Sequence, residues 1–316
     1  ATAATIGTVA MPQARALGYD ERLFAGSIAA GGTLGIMIPP SINLIVYGFM
    51  TETSIPRLFV AGIVPGTMLA LMFIAGTALL CMWKPQWGGP IRHHSWKARG
   101  LGLLQLIPMF GLFGLIIGSI YTGWATPTEA AAIGVVASLA IARATRTLNL
   151  AMLNAAILGT MRTTAMIMLI IVSAYFLNFV LSSVGATAAL SRLVADSGLG
   201  PLSTMLLIVL IYIILGFFIE TLSLMVITIP VIAPVVVSIG YDPIWFGIML
   251  ILLIEMALIT PPVGLNLYVV QGVRGHGAFS DVVMGAIPYA LIMLAMAGLL
   301  LAFPSIALFL PNAMNG

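Results

Sequence analysis

Two adjacent-proline steps, Pro39-Pro40 and Pro261-Pro262, each lie inside an apolar run long enough for a membrane helix. Proline has no N–H, its ring crowds the preceding turn, and the residue before it is pushed out of the α region. A helix carrying two in succession must break, which leaves the carbonyls of Gly35 to Ile38 without intrahelical partners in the first case. Irregular backbone at membrane depth persists only where it is buried in protein or lines a polar cavity. The chemistry on offer is ligation of a hard cation by oxygen, with main-chain carbonyls supplying the ligands without a fixed charge. In the first break the expected ligands are Gly35, Ile38 and Pro39, with Thr33, Ser41 and Asn43 nearby. In the second they are Ala257, Thr260 and Val263, with Asn266 nearby. A proline kink that only shapes packing is the competing reading. Two such steps in register, each followed by an asparagine, favour the site.

Other polar groups interrupt apolar segments. Ile219-Glu-Thr-Leu-Ser223 reads as the tip of a hairpin, facing substrate or cation through Thr221 and Ser223, or else as a surface turn that Glu220 alone would satisfy. Glu255 lies inside an apolar helix just before the second break. Carboxylates in that position are costly and mark function, unless a neighbouring helix hydrogen-bonds them. The expected substrate contacts are Ser41, Asn43, Thr221, Ser223, Pro261 and Asn266. Thr126-Pro-Thr-Glu129 has capping-box spacing and a local structural role. His93-His94, beside Trp96, is a lone pair in a basic loop and too few ligands for a metal. Cys81 reads as a small buried apolar residue. There is no Ser/His/Asp grouping, Cys/His cluster, phosphate-binding loop or dinucleotide fingerprint. An intramembrane enzyme would have to use Glu255 or Glu220, and no second polar cluster faces either. The chain is therefore expected not to be an enzyme, to carry no covalent cofactor and to bind no nucleic acid.

The elements that must position these residues are membrane-spanning helices. The 316 residues are 61% hydrophobic and 7% charged, with mean hydropathy +1.17, whereas a soluble domain carries about 25% charged residues. The expected class is an all-α polytopic membrane protein. Residues 1–10 read as a returning helical arm and Pro12–Arg22 as a polar turn. A helix from about Leu23 breaks at 38–42 and resumes to about Met50, and Leu58–Trp83 spans the bilayer. The basic loop 84–100 closes a first unit, residues 1–100. The second unit, 101–316, holds scaffold helices within 101–181 (the last starting near Asn154), an amphipathic arm 182–202 bearing Arg192 and Asp196, a hairpin 203–237, a broken helix 244–272 and a last span 285–308. Ala1 enters in mid-helix, so further chain is expected before it.

Ten of the twelve Lys and Arg residues fall in the loops 11–22, 84–100, 143–162 and 273–281; only Arg57 and Arg192 lie elsewhere. That asymmetry makes the first set of loops cytoplasmic. An internal repeat supports the map. A shift of 222 aligns Pro12 with Pro234, Gly18-Tyr-Asp20 with Gly240-Tyr-Asp242, and Pro39-Pro40 with Pro261-Pro262. A shift of 223 aligns Asn43 with Asn266, Gly62 with Gly285 and Pro65 with Pro288. An odd number of crossings separates the copies, so the repeat is expected to be inverted.

Gly32-Thr-Leu-Gly-Ile-Met-Ile-Pro-Pro-Ser-Ile42, Phe59-Val-Ala-Gly-Ile-Val-Pro-Gly66, Thr126-Pro-Thr-Glu-Ala-Ala-Ala132 and Ile259-Thr-Pro-Pro-Val-Gly-Leu-Asn266 together resemble the DctM-type large membrane subunit of the TRAP (tripartite ATP-independent periplasmic) transporters. The resemblance covers essentially the whole chain. It implies an inverted-repeat, elevator-type fold with re-entrant hairpins and two broken helices. It also implies sodium-coupled import of a small organic acid, such as a C4-dicarboxylate, across a bacterial inner membrane. The implied partners are a small membrane subunit, a periplasmic substrate-binding protein and the lipid bilayer. Carried over, it puts sodium at Gly35, Ile38 and Pro39, and at Ala257, Thr260 and Val263, where hairpin tips meet the broken helices. The family usually has glycine at the position of Ala257, and its first Ser/Gly-rich hairpin tip would precede Ala1. The chain alone is thus expected not to transport. A stand-alone sodium/dicarboxylate symporter of related architecture, or a non-transporting membrane scaffold, is the alternative.

Overall fold

The structure, a computed structural model, describes residues 2–90, 100, 102–104, 106–186, 188–189, 192, 196 and 198–313, and every regular element among them is helical. In chain order the helices are α1 (Thr2–Leu17), α2 (Glu21–Gly31), α3 (Leu34–Met37), α4 (Ile42–Thr51), α5 (Ile55–Trp83), α6 (Ile107–Tyr121), α7 (Pro127–Ala144), α8 (Leu150–Ser183), α9 (Pro201–Gly216), α10 (Thr221–Ser238), α11 (Pro243–Leu258), α12 (Leu265–Arg274), α13 (Phe279–Ala302) and α14 (Ser305–Ala313). Among the described residues α5, α7, α8, α10 and α13 are long and apolar enough to cross a membrane. The bent pair Glu21–Met37 and Ile42–Thr51, angled by 42°, makes a sixth candidate. The protein is an all-helical, multi-pass membrane protein.

Two compact units divide the chain: residues 1–91 with 173–316, and residues 92–172, the second boundary falling within α8. In the smaller unit α6 packs on α7. The capping box that opens α7 is formed: the Glu129 N–H donates to Thr126 Oγ1 (3.4 Å) and the Thr126 N–H donates to Glu129 Oε2 (2.8 Å).

In the larger unit α11 is the centre. All fourteen residues from Ile244 to Ala257 are buried, as expected of a helix that is apolar on every side. Trp245 Nε1 donates to the Leu300 carbonyl (3.0 Å), and Tyr47 Oη donates to the Pro243 carbonyl (2.6 Å), which ties α13 and α4 to it. α2 lies along α13 so closely that a Cβ on Gly26 or Gly285 would fall inside the other helix's backbone.

Local geometry recurs at positions 222 apart. Gly18 and Gly240 both turn the chain at positive φ, +73° and +95°. Asp20 then accepts from the Arg22 and Leu23 N–H groups, and Asp242 from those of Ile244 and Trp245. A Pro-Pro step with a cis peptide bond follows each capped helix, after the short α3 in the first copy and directly beyond α11 in the second, and each copy closes on a long helix with one internal proline, Pro65 or Pro288. The loops at the capped end are joined. The Asp20 N–H donates to the Trp87 carbonyl (3.2 Å), and Arg274 bridges Glu21 (3.1 Å) and Asp281 (3.4 Å). Three of the four loops expected on one side thus meet.

Three boundaries differ from expectation. Pro12 does not open a turn: α1 runs through it to Leu17, burying Met11 and Ala14 on either side, and only the Thr8 carbonyl loses its helical donor. α8 starts at Leu150 rather than near Asn154, because Asn149 Oδ1 accepts the Met152 N–H (2.8 Å). The last span starts at Phe279 rather than Gly285 and is two helices, α13 and α14, parted at Phe303-Pro304, where proline again removes a donor. His93-His94 and Trp96 lie outside the described residues, as does much of the arm 182–202. Arg192 and Asp196 are exposed, and Cys81 is half-buried.

Candidate functional site

The second break forms where α11 runs out of donors. Ala257 and Leu258 would bond to the N–H groups of residues 261 and 262, and both are proline. The chain compensates in part: the Ile259 N–H donates to the Met256 carbonyl (3.1 Å), and the Thr260 N–H makes a long bond to the Ala257 carbonyl (3.4 Å). Thr260 Oγ1 donates to the Met256 carbonyl (2.6 Å). Gly264, at φ +51°, turns the chain back into α12. This conformation, with the Leu267 side chain packed where a Cβ would stand, requires glycine.

The hairpin tip meets this break. α9 and α10 pack together, joined by residues 217–220. Glu220 caps α10, with its Oε2 accepting from the Ser223 N–H (3.1 Å) and Oγ (3.3 Å). Below the cap a cavity of about 140 Å³ is lined by Glu220 and Thr221 from the tip and by Ala257, Val263 and Gly264 from the break. That is room for several water-sized groups. Four of the residues singled out from sequence are thereby brought together: Glu220, Thr221, Ala257 and Val263. The others stand apart from the cavity. Ser223 is exposed and turned to Glu220, Thr260 is turned to Met256, Pro261 is exposed, and Asn266 Nδ2 donates to the Ala29 carbonyl (3.1 Å) in the other repeat.

At the first break the prolines at 39 and 40 deny donors to the Gly35 and Ile36 carbonyls. The Ile36 N–H falls back on Thr33 (2.7 Å), while the Ile38 N–H reaches Leu34 (2.9 Å). Ser41 restarts the helix as the cap of α4, accepting the Leu44 N–H (3.4 Å). Gly62 and Gly66 of α5 let the break lie flat: a Cβ on Gly62 would stand 2.8 Å from the Met37 carbonyl oxygen. Gly35 is exposed near Thr2 at the start of α1, Ile38 is half-buried, and Pro39 and Asn43 are buried.

Residues 1–306 match the family model of the tripartite ATP-independent periplasmic transporter, DctM component. The chain belongs to that family. Among its relatives, the C4-dicarboxylate TRAP transporter large permease DctM of Pseudomonas aeruginosa is 33% identical, over 99% of this chain and 73% of its own length. The sialic acid TRAP large permease SiaM of Vibrio cholerae is 31% identical, over 100% and 74%. The ectoine/5-hydroxyectoine TRAP large permease UehC of Ruegeria pomeroyi is 30% identical, over 98% and 72%. These relatives are named as transporter permeases, not enzymes, and a secondary-transport role for this TRAP subunit follows.

Sequence reasoning missed three relationships in this TRAP subunit. Gly216 of α9 lies against Ala257 of the break. Glu21, Arg274, His276 and Asp281 join the two repeats in one ion-pair group. Glu255 of α11 is fully buried beside Thr33 and Met37 of the first break. The repeat shift carried a signal only for the last, since it makes position 255 the counterpart of position 33.

Proposed function

We propose that this chain is the ion-coupled transport subunit of a TRAP importer in a bacterial inner membrane. It would take a small organic acid from a periplasmic substrate-binding protein and be braced by a small membrane subunit. Sodium is the proposed coupling ion. The donor set at the breaks and tip is oxygen only, from carbonyls, Thr221 and Glu220, and suits a hard cation. One observation carries the reading: a hairpin tip and a broken helix line the same cavity. Binding there joins two elements that are separate in sequence, so the ion orders the tip against the break and completes the substrate's surroundings. In this reading the two repeats are inverted, and the unit that carries the breaks moves as an elevator against the scaffold helices. Relatives named for a C4-dicarboxylate, sialic acid and ectoine stand at similar identity to this chain. That pattern suits a permease whose pocket is largely backbone and whose binding protein selects the substrate.

The test is uptake by the complete three-component system in proteoliposomes. Replacing external sodium with choline should abolish uptake, and undiminished uptake would overturn the coupling. Omitting the binding protein should also abolish it; uptake without that protein would instead favour a stand-alone symporter.

A further inference from the structure

His276 sits in the loop between α12 and α13, and its side chain is 40% exposed. Both ring nitrogens are engaged. Nδ1 lies 2.5 Å from the Arg274 carbonyl, and Nε2 contacts both the Arg15 guanidinium and Glu21 Oε2, the latter at 2.8 Å. Gln271 Nε2 donates to the His276 and Gly277 carbonyls (3.2 and 3.0 Å), which ties the loop backbone to α12. The charged groups around the ring come from the four helices packed there: Arg15 from α1, Glu21 and Arg22 from α2, Arg274 from α12 and Asp281 from α13. Lys84, just after α5, is turned instead over the Trp83 and Trp87 rings.

These contacts decide which nitrogen carries a hydrogen. A carbonyl can only accept, so Nδ1 holds one in both charge states of the ring. In the neutral ring Nε2 is then a bare lone pair. It accepts from Arg15 but opposes the Glu21 oxygen, since Glu21 is held ionised by two guanidinia, Arg15 (2.9 Å) and Arg274 (3.1 Å), and has no hydrogen to give. In the imidazolium Nε2 carries a hydrogen as well and donates it to Glu21, while Arg15 faces a like charge. One proton thus exchanges the partner of Nε2 from α1 to α2. The guanidinium that gives way is Arg15, whose side chain is 64% exposed, because Arg274 at 6% is enclosed.

Arg15 stands near the end of α1, an arm seated along its length. Ala3 lies against Gly32 beside the first break, Gly7 against Val273 of α12, and Arg15 in the ion-pair group. Met11, Pro12 and Val273 line a cavity of about 320 Å³ at that end, so the end of the arm has room to move. We propose that His276 is a proton-operated latch on α1: neutral, it holds Arg15; protonated, it donates to Glu21 and releases the arm. The latch lies at the end that the charge asymmetry makes cytoplasmic, and histidine changes charge between about pH 5 and pH 8. Acid in the cytosol therefore loosens the arm that flanks the first break, and alkaline pH seats it.

Hydrogen exchange of the purified complex, expressed as protection factors corrected for the pH dependence of intrinsic exchange, reads the arm directly. Protection over residues 9–17 of wild type should fall by about threefold or more from about pH 8.5 to about pH 5.5, while α9 and α11 keep theirs. His276→Gln, neutral at both pH values, should lose this difference. His276→Lys, charged at both, should show the loosened arm at both. Thermal unfolding gives a second readout: Arg15→Gln and His276→Gln should be non-additive at the higher pH and additive at the lower. Wild-type protection unchanged within about twofold, a difference that persists in His276→Gln, or a fall shared by every helix would overturn the latch. None of these readouts needs sodium or transport, so the latch can fail while the ion-coupled reading stands.

Discussion

Gly216 of the hairpin arm packs directly on Ala257 at the second break: a Cβ on Gly216 would stand 2.5 Å from the Ala257 Cβ. Two methyl groups cannot approach so closely, since carbon atoms rest at about 3.5–4 Å. Ala257 adds a methyl group at the break, and the glycine opposite makes room for it. The main-chain carbonyl of Ala257 is unaffected by its methyl group, so the break keeps its oxygen while the arm keeps its seat.

Gly216→Ala is therefore expected to push α9 off α11 and open the cavity between tip and break, at about 1–3 kcal/mol of overpacking. Thermal unfolding of the purified complex should shift down, with a larger half-saturating sodium in uptake. The double variant Gly216→Ala with Ala257→Gly should recover most of both losses, because it moves the methyl group across the contact without adding one. Equal losses in the single and double variants would mean that the two positions are not coupled.

The helix breaks at the two Pro-Pro steps, the paired helices α9 and α10 and the capping box at Thr126 were legible in the sequence, because each is written in local terms. Prolines remove donors wherever they stand, and Asp20 and Asp242 precede helices at equivalent positions. What stayed hidden depends on which side chain faces which helix. Nothing in the pattern around Gly216 separates it from Gly272, which meets open space. Pro12 and Pro304 look alike in sequence, yet buried neighbours carry α1 through the first while the chain stops at the second. The tip residues Thr221 and Ser223 were read as a pair, but only Thr221 faces the cavity, because capping turns Ser223 to Glu220.

The ion-pair group that joins the repeats is graded by burial, and its energetics should follow. The Arg274 side chain is 6% exposed and bridges Glu21 and Asp281, while Arg15 and Arg22 contact the same two acids with side chains 64% and 63% exposed. Removing one partner of a buried pair strands the others, whereas exposed pairs are worth about 0–1 kcal/mol. Arg274→Met should lower the thermal stability of the purified complex clearly, by about 2 kcal/mol or more. Arg15→Gln and Arg22→Gln should each change it by less than about 1 kcal/mol, and the small changes should vanish in high salt. A loss for Arg22→Gln as large as that for Arg274→Met would show that burial does not set the ranking.

The twin caps offer a check on the repeat at the level of energy. Asp20 and Asp242 each accept two helix-terminal N–H groups with a single carboxylate oxygen, at 3.0 and 2.9 Å in one copy and 2.7 and 3.2 Å in the other. Asp20→Ala and Asp242→Ala should each destabilise by about 1 kcal/mol. Asn at either position should recover most of the loss, because it keeps an acceptor oxygen, and failure of Asn to rescue would assign the effect to charge rather than capping.

The last prediction addresses the break itself. Replacing Pro261 and Pro262 together by Ala restores N–H groups within reach of the Ala257 and Leu258 carbonyls and relieves the rings' pressure on the preceding turn, so it favours one more turn of α11. Extending α11 would carry Val263 and Gly264 away from Thr221 and Glu220, with which they share the cavity. The variant should therefore fold and assemble at least as well as wild type in thermal unfolding, yet transport poorly, with a half-saturating sodium raised about tenfold or more. Stability and transport then move in opposite directions, which separates a break that serves ion binding from one that only shapes packing. In the packing case the double Pro261→Ala, Pro262→Ala variant would leave sodium dependence unchanged whatever it did to stability.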